Sequence, residues 1–348
     1  MPEGPEVEIV RRGLKNLYRQ KIIGIFFSSH KKYSSQGLKS FSKLLGTQIK
    51  EIKRKGKWLI FVFDNEIKAI NHLGMSGKWL LFEHEKNISI KKQYFCEELD
   101  FKEQDIEKKH KEISSYIRVT SLETTNKEGS KINSYYLIPK EGQKFIETKN
   151  NPLKKSFEEE ILYDKHIKLI IFLEKYVAIF SDPRIFGQFR IIDDEETKKQ
   201  LKRIEHLGPD ILEKPFDIER FIGNLKRHPK ITIASALLRT DIVLGVGNIY
   251  RSEALFRAKI SPFRRINQIK KEELRVLGKK IHEVGMEALR YGGSSIQSYV
   301  NTDGRSGGMQ ERFLVYGKNK QPCVVCGNEI KKDKIDGRSI YWCEYCQK

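Results

Sequence analysis

The chain begins Met1-Pro2-Glu3-Gly4-Pro5-Glu6, which places an α-amine and two carboxylates at one end of the molecule. Initiator methionine is ordinarily removed before a residue as small as proline. That would leave Pro2 with a free secondary amine. An amine attacks a carbonyl-type carbon only when unprotonated, and α-amines titrate near ~8 against ~10.4 for lysine, so more of the α-amine is reactive near neutrality. Attack by a secondary amine on a sugar aldehyde carbon gives an iminium with no N–H to lose. It stays cationic and acts as an electron sink for β-elimination. Glu3 is placed to protonate the sugar ring oxygen, and Glu6 to shuttle a proton or orient the amine. Read by itself, however, the string is first of all a helix start, with prolines and acids suited to a first turn.

A second cluster sits at the other end. Cys323-x-x-Cys326 and Cys343-x-x-Cys346 are two pairs of thiols, each pair supplied by one tight turn. This pattern fits tetrahedral zinc ligation better than two disulfides or a rubredoxin-like iron site. Four protein ligands leave no open position, so one structural zinc is expected, holding a small ribbon in which Ser339–Trp342 forms a strand. Cys96 stands alone.

The elements that must position these groups can be read from periodicity. Residues 5–18 are expected to form an amphipathic helix, with Val7, Val10, Leu14 and Leu17 at helical spacing. Strands are expected at Ile22–Phe27, Ile49–Lys53, Lys57–Phe63, Ile67–Asn71, Lys78–Phe82, Ile167–Phe172, Tyr176–Ser181 and Gln188–Ile192. Many strands at short intervals imply an antiparallel sandwich or barrel. Beyond about residue 195 the pattern turns helical, with candidates at Glu219–Leu225, Ile231–Leu238, Asn248–Lys259 and Lys271–Arg290. Pro209 and Pro215 mark the linker. Residues 84–160 differ from the rest. They carry 15 basic and 15 acidic residues without sustained periodicity, and read as an insertion in which Ser134–Ile138 could form a strand.

The whole chain of 348 residues carries 66 Lys and Arg against 46 Asp and Glu, a formal charge of +20. Since the insertion is neutral, this excess lies in the rest. Such a balance points to a polyanionic partner, nucleic acid first, although Lys- and Ile-rich composition also follows from an AT-rich genome. No apolar run reaches the ~18 residues of a membrane helix. The acidic start lacks an apolar signal region. An intracellular, cytoplasmic or nucleoid-associated protein with no membrane partner is expected.

The chain resembles the formamidopyrimidine-DNA glycosylase / endonuclease VIII family of base-excision repair enzymes over roughly residues 1–83 and 164–348. The strings that carry the resemblance are MPEGPEVE (1–8), KGKWL (55–59), HLGMSG (72–77), DPRIFG (182–187), LGVGNIYRSEALF (244–256), DGRSGG (303–308), VYGK (315–318) and the four-cysteine ribbon. HLGMSG and DPRIFG favour the formamidopyrimidine branch. The resemblance implies an α+β multidomain fold. Its parts would be an N-terminal β-sandwich with a leading helix (1–195, carrying the insertion 84–160), a helix–two-turn–helix domain (210–300) and a zinc ribbon (310–348). It implies excision of oxidised bases, 8-oxoguanine and formamidopyrimidines, by glycosylase and AP lyase chemistry through a Pro2 Schiff base and β,δ-elimination. Glu3 would be the general acid, Glu6 an assistant, and Lys57 a phosphate contact that supports catalysis. Lys53, Arg54 and Lys55 beside it would extend a phosphate-tracking edge. Met75, Arg184 and Phe186 would fill the hole left by the flipped nucleotide. Lys230, Asn248, Arg305, Tyr316 and Arg338 would hold the DNA backbone. The partner would be double-stranded DNA containing oxidised bases or abasic sites, bound by a monomer.

Three departures stand out. Ile185 replaces the family's second arginine, the loop DGRSGGMQERF differs from the usual pattern, and the insertion lies between Met75 and Arg184. Two other readings stay open at this point: an endonuclease VIII-like preference for oxidised pyrimidines, and a catalytically silent damaged-DNA-binding protein.

Overall fold

Alternating apolar residues in the N-terminal half build two sheets. A computed structural model describes residues 2–28, 32, 36–83, 117–125, 131–139, 166–294 and 306–348, with 117–125 and 131–139 as backbone strands. The strands are β1 (Ile22–Ser28), β2 (Ile49–Lys55), β3 (Trp58–Phe63), β4 (Lys68–His72), β5 (Lys78–Glu83), β6 (Ile117–Thr125), β7 (Lys131–Pro139), β8 (Ile167–Leu173), β9 (Tyr176–Ser181) and β10 (Gln188–Ile192). One sheet runs β5-β9-β8-β1-β7-β6 and the other β10-β4-β3-β2. All eight expected strands form. The expected strand at 134–138 lies within β7, which pairs antiparallel with β1 and with β6. β6 was not foreseen. Much of the insertion, Cys96 included, lies outside the described residues.

Between the sheets the core is aromatic. Trp79 is fully buried, with Phe61, Phe180 and Phe189 at ring-centroid distances of 5.7, 5.2 and 6.2 Å. Its indole N–H donates to the Asn71 side-chain oxygen at 2.9 Å, and Asn71 in turn donates to the Gln188 carbonyl at 2.7 Å. A buried indole and amide are therefore satisfied together, as burial requires.

The helices are α1 (Gly4–Gly13), α2 (Gly37–Ser42), α3 (Glu195–Glu205), α4 (Ile218–Lys226), α5 (Ile233–Ala236), α6 (Asn248–Arg257) and α7 (Lys271–Arg290). The expected helix 5–18 stops at Gly13, and Leu14–Leu17 tighten into a 3-10 turn that still buries both leucines. The expected helix 231–238 shrinks to one turn. Thr232 caps its start, and the Leu238 and Arg239 amides reach back only three residues, to Ser235 and Ala236. α3 went unforeseen because few apolar residues mark it. A reciprocal pair starts it, with the Thr197 amide donating to Asp194 at 2.7 Å and the Asp194 amide to the Thr197 hydroxyl at 3.3 Å.

The chain divides into two units. One comprises Met1–Gly13, Arg54–Leu59 and Lys198–Lys348; the other comprises Leu14–Lys53 and Ile60–Thr197. In the first, Phe221, Leu255 and Leu277 form one core with Ile335 and Ile340 of the C-terminal hairpin β11 (Lys331–Ile335) and β12 (Arg338–Trp342). The ribbon is thus anchored in the helical core. The expected strand at 339–342 is β12.

Candidate active site and nucleic-acid interface

The Glu3 and Glu6 side chains, one turn apart at the start of α1, are both buried. The Glu3 amide donates to Glu6 at 2.8 Å, and the Gly4 amide to the Gly245 carbonyl at 2.8 Å. The Glu3 carboxylate accepts from the backbone amides of Gly247 (2.6 Å), Ile249 (2.9 Å) and Tyr250 (3.3 Å). It therefore caps the N-terminus of α6, for which Gly247 supplies no side chain. Glycine is required there, because a Cβ at Gly247 would lie 2.4 Å from Glu3 Cδ. Burial pushes the Glu3 carboxyl above its ordinary range, opposed by Lys57 and by the backbone amides and aided by Glu6.

The amides that open α6 in the GVGN turn are thus occupied by the Glu3 carboxyl group. Asn248 remains the first residue of α6, half-buried.

Glu6 is held by several donors. It accepts from the Ser294 amide at 2.8 Å, from the Ser294 hydroxyl at 3.1 Å and from the Tyr250 hydroxyl. Burial, with Glu6 and Glu3 nearby, drives the Tyr250 phenol well above its usual range, so it stays a proton donor. Neither Tyr250 nor Ser294 was singled out from sequence; the Tyr inside LGVGNIYRSEALF was the available signal.

Lys57 lies in the turn between β2 and β3. Burial lowers its ammonium below the ordinary lysine range, Arg338 adds to this, and Glu3 and Glu6 oppose it. The four groups therefore share one electrostatic neighbourhood. Arg54 does not join them as a phosphate contact. Its guanidinium donates to Asp210 at 2.6 and 2.9 Å and to Glu8 at 3.2 Å, and Asp210 also accepts from the Gly56 amide at 2.7 Å. Lys55 pairs with Glu213 at 3.0 Å. These side chains bolt the Lys57 turn to the 210–213 segment. The phosphate-tracking edge expected of Lys53–Lys57 thus loses Arg54, whose side chain is only 8% exposed.

α6 is buried on nearly every side and carries polar anchors. Glu253 accepts from the amides of Leu314, Val315 and Tyr316 at 2.9–3.1 Å. It thereby fixes the VYGK string and half-buried Tyr316, whose ring tilts against Tyr341 at 4.9 Å. Burial raises the Tyr316 phenol to about 12. Lys230 is exposed in the turn before α5, and Arg338 is exposed at the start of β12. Arg338 follows a two-residue hairpin loop, Asp336-Gly337, with both φ values positive (49° and 72°). Arg305 lies outside the described residues.

The three residues expected to fill a vacated base site belong to the other unit. β4 pairs with β10 (His72↔Gln188) and β5 with β9 (Lys78↔Ser181). Loops 73–77 and 182–187 therefore cross side by side from one sheet to the other. Buried Asp182 accepts from the Ser76 hydroxyl at 2.9 Å and from the Gly187 amide at 2.7 Å, and Ser76 accepts from the Arg184 amide at 3.1 Å. Gly74, at φ +64°, approaches so closely that a Cβ would sit 2.4 Å from the Gly187 nitrogen. On this rigid pair of loops Met75 is 37% and Phe186 52% exposed, and the Arg184 guanidinium lies 5.0 Å from the Phe186 ring. Ile185 between them has φ +57°, an uncommon conformation for a β-branched residue.

At the C-terminus the sulfurs of Cys323, Cys326, Cys343 and Cys346 lie within 4.8 Å of one another, with Cys323···Cys346 at 3.8 Å and Cys326···Cys343 at 3.5 Å. These separations exclude S–S bonds of about 2.05 Å. Zn–S bonds of about 2.3 Å make a tetrahedron with edges of about 3.8 Å, so the four thiolates fit one structural zinc. Its surroundings are Phe256, Val315 and Ile330.

Family models match along the chain in the same order: the formamidopyrimidine-DNA glycosylase N-terminal domain at residues 1–125, its H2TH domain at 207–300, and the zinc finger found in FPG and IleRS at 320–348. The formamidopyrimidine-DNA glycosylase of Lactococcus lactis is 30% identical over 349 aligned residues, covering 100% of this chain and 99% of that protein. The Listeria innocua protein of the same name is 36% identical over 185 residues, covering 53% of this chain and 67% of that protein. Among solved structures, a Lactococcus lactis FPG variant bound to Fapy-dG-containing DNA superposes with a TM-score of 0.69 at 27% identity, covering 99% of each chain. The Thermus thermophilus MutM (FPG) protein gives 0.68 at 26% identity, covering 99% and 98%. The sandwich, the helical core with its cysteine ribbon, and these matches over the whole length place the chain in the formamidopyrimidine-DNA glycosylase family of DNA-repair enzymes.

Proposed function

We propose that the chain is a bifunctional DNA glycosylase and AP lyase that excises oxidised bases, 8-oxoguanine and formamidopyrimidines, from double-stranded DNA. The observation that carries this reading is the buried Glu3–Glu6 pair beside Pro2, within the field of Lys57. With Met1 removed, the unprotonated Pro2 nitrogen attacks C1′ of a nucleotide flipped from the stack. The glycosidic bond breaks, its electron pair leaves with the base, and the proton shed by the Pro2 nitrogen neutralises that base. Glu3, whose raised pKa favours the protonated form, delivers a proton to the ring oxygen, and the sugar opens to an iminium. Loss of a C2′ proton expels the 3′ phosphate. A second elimination expels the 5′ phosphate and leaves a one-nucleotide gap. Lys57 and Arg338 hold phosphates beside the lesion.

Met75, Arg184 and Phe186 replace the flipped base: an apolar plug, a hydrogen-bond donor for the orphaned base and a wedge between steps. Lys230, Asn248, Arg305 and Tyr316 hold the backbone. Relatives solved with abasic-site and Fapy-dG DNA support this substrate class.

The test is borohydride trapping on 8-oxoguanine:C, formamidopyrimidine and thymine glycol duplexes. Wild type should trap covalently on the purine lesions and Pro2→Gly should not. Equal trapping by both proteins sinks the Pro2 mechanism. Faster excision of thymine glycol transfers the reading to oxidised pyrimidines.

A further inference from the structure

Arg251 is a buried cation that the mechanism above does not use. Its relative exposure is 0%, and among the described residues no carboxylate lies at ion-pair distance. The guanidinium instead gathers three backbone carbonyls from two segments. Nη1 donates to the carbonyl of Ala234, the second residue of α5, at 3.1 Å. Nη2 donates to Arg338 at 3.3 Å and Ser339 at 3.0 Å, at the start of β12. Nε is buried without a partner. A buried guanidinium with no carboxylate at ion-pair distance is expensive; burial and then nearby Arg338 pull its pKa down to about 10, opposed by the more distant Glu3 and Asp336. An apolar side chain would serve packing better, so the charge calls for another account.

The hydrogen bonds supply it. The two carbonyls that Nη2 holds belong to the residue carrying the exposed Arg338 side chain and to its neighbour. The same hairpin tip is tied on its other side by the Ser235 hydroxyl, which donates to Asp336. The planar fork of arginine spans carbonyls from separate segments in a way that a point-charge lysine cannot.

We infer that Arg251 is the positioning residue of the ribbon tip: it fixes the backbone at Arg338 and so aims that guanidinium at DNA phosphate. The inference rests on the reading of Arg338 given above. Arg251 touches no substrate and acts through Arg338, whose backbone is otherwise held by its pairing with Ile335, the two-residue turn and the Ser235–Asp336 bond.

The test is a mutant cycle on the full-length, zinc-loaded protein with lesion duplex. Arg338→Ala should weaken binding for every sequence and lower the salt slope by ~1. Arg251→Met keeps an apolar stem and removes the fork. It should raise KM roughly 5- to 10-fold and leave single-turnover excision at saturating DNA within about 2-fold. Added to Arg338→Ala, it should change KM by less than about 2-fold. A full additional rise in the double variant overturns the inference, as does an unchanged KM in Arg251→Met. Should Arg251→Met lose zinc or its melting transition, Ser235→Ala decides, since it loosens the same tip without altering a buried charge. Its smaller KM rise must also vanish in the Arg338→Ala background, or the inference fails. Unchanged binding in Arg338→Ala alone sinks the phosphate role of Arg338 instead.

Discussion

In the corner at the start of α1 two carboxylates are withdrawn from water, with a lysine half-buried beside them; in the crossover loops an arginine, a methionine and a phenylalanine are held out into it. The first arrangement uses burial to shift proton affinities. Glu3 rises because its charged form is desolvated, and it is kept in register by three amides of a distant helix end. The second uses rigidity to keep apolar groups exposed. Asp182 and Ser76 fasten the two loops from beneath, so Met75 and Phe186 cannot fold back into the core. Acid–base work needs a controlled local field, whereas filling a hole in a duplex needs preorganised shape. The two regions should therefore fail in different ways.

The largest effect is expected in the corner. Glu3→Gln should slow single-turnover excision by about 10²–10⁴-fold with lesion binding retained. Loss of binding instead would erase the contrast between chemistry and shape. The corner also has a pH signature. On the proposed mechanism Glu3 is needed protonated, so the rate should fall as pH rises through its raised pKa. Since Glu6 contributes to that rise, Glu6→Gln should move this limb to lower pH. A pH–rate profile under single-turnover conditions checks it, and a shift to higher pH would contradict the assigned roles.

In the loops, Asp182→Ala leaves the Gly187 amide and the Ser76 hydroxyl without their acceptor. It should destabilise the protein by about 2–3 kcal/mol in urea unfolding and weaken lesion binding as well. Phe186→Ala should leave stability nearly unchanged and cost about 1–3 kcal/mol of binding, read by titration of an abasic duplex. A stability loss there would mean that the ring packs inward. The smallest effect is expected at Ile185. Asn tolerates its left-handed backbone better, so Ile185→Asn should gain about 1 kcal/mol of stability. A loss would show that the Ile185 side chain contributes more than its strain costs.

Much of this was legible beforehand, and the residues show why. The strands of the sandwich, α7 and the second strand of the ribbon follow from local periodicity. The four cysteines announce their metal by spacing alone. Other features were not legible because they depend on partners far along the chain. Arg54 looks like a phosphate contact in a run of basic residues, yet Asp210 and Glu8 claim it. The amides of the GVGN turn carry no local mark of their partner, yet Glu3 occupies them. Arg251, Glu253 and Asp182 are charged letters inside otherwise apolar or turn-like strings, and nothing local reveals that they are buried.

The sequence by itself determined which groups are present and which short elements carry them, because amine chemistry, thiolate spacing and apolar periodicity are local properties. Only the tertiary structure decided which of those groups are shielded from water and which backbone donors they meet. Desolvation and hydrogen bonding act through space, and residues 3 and 247 meet only after the chain has folded.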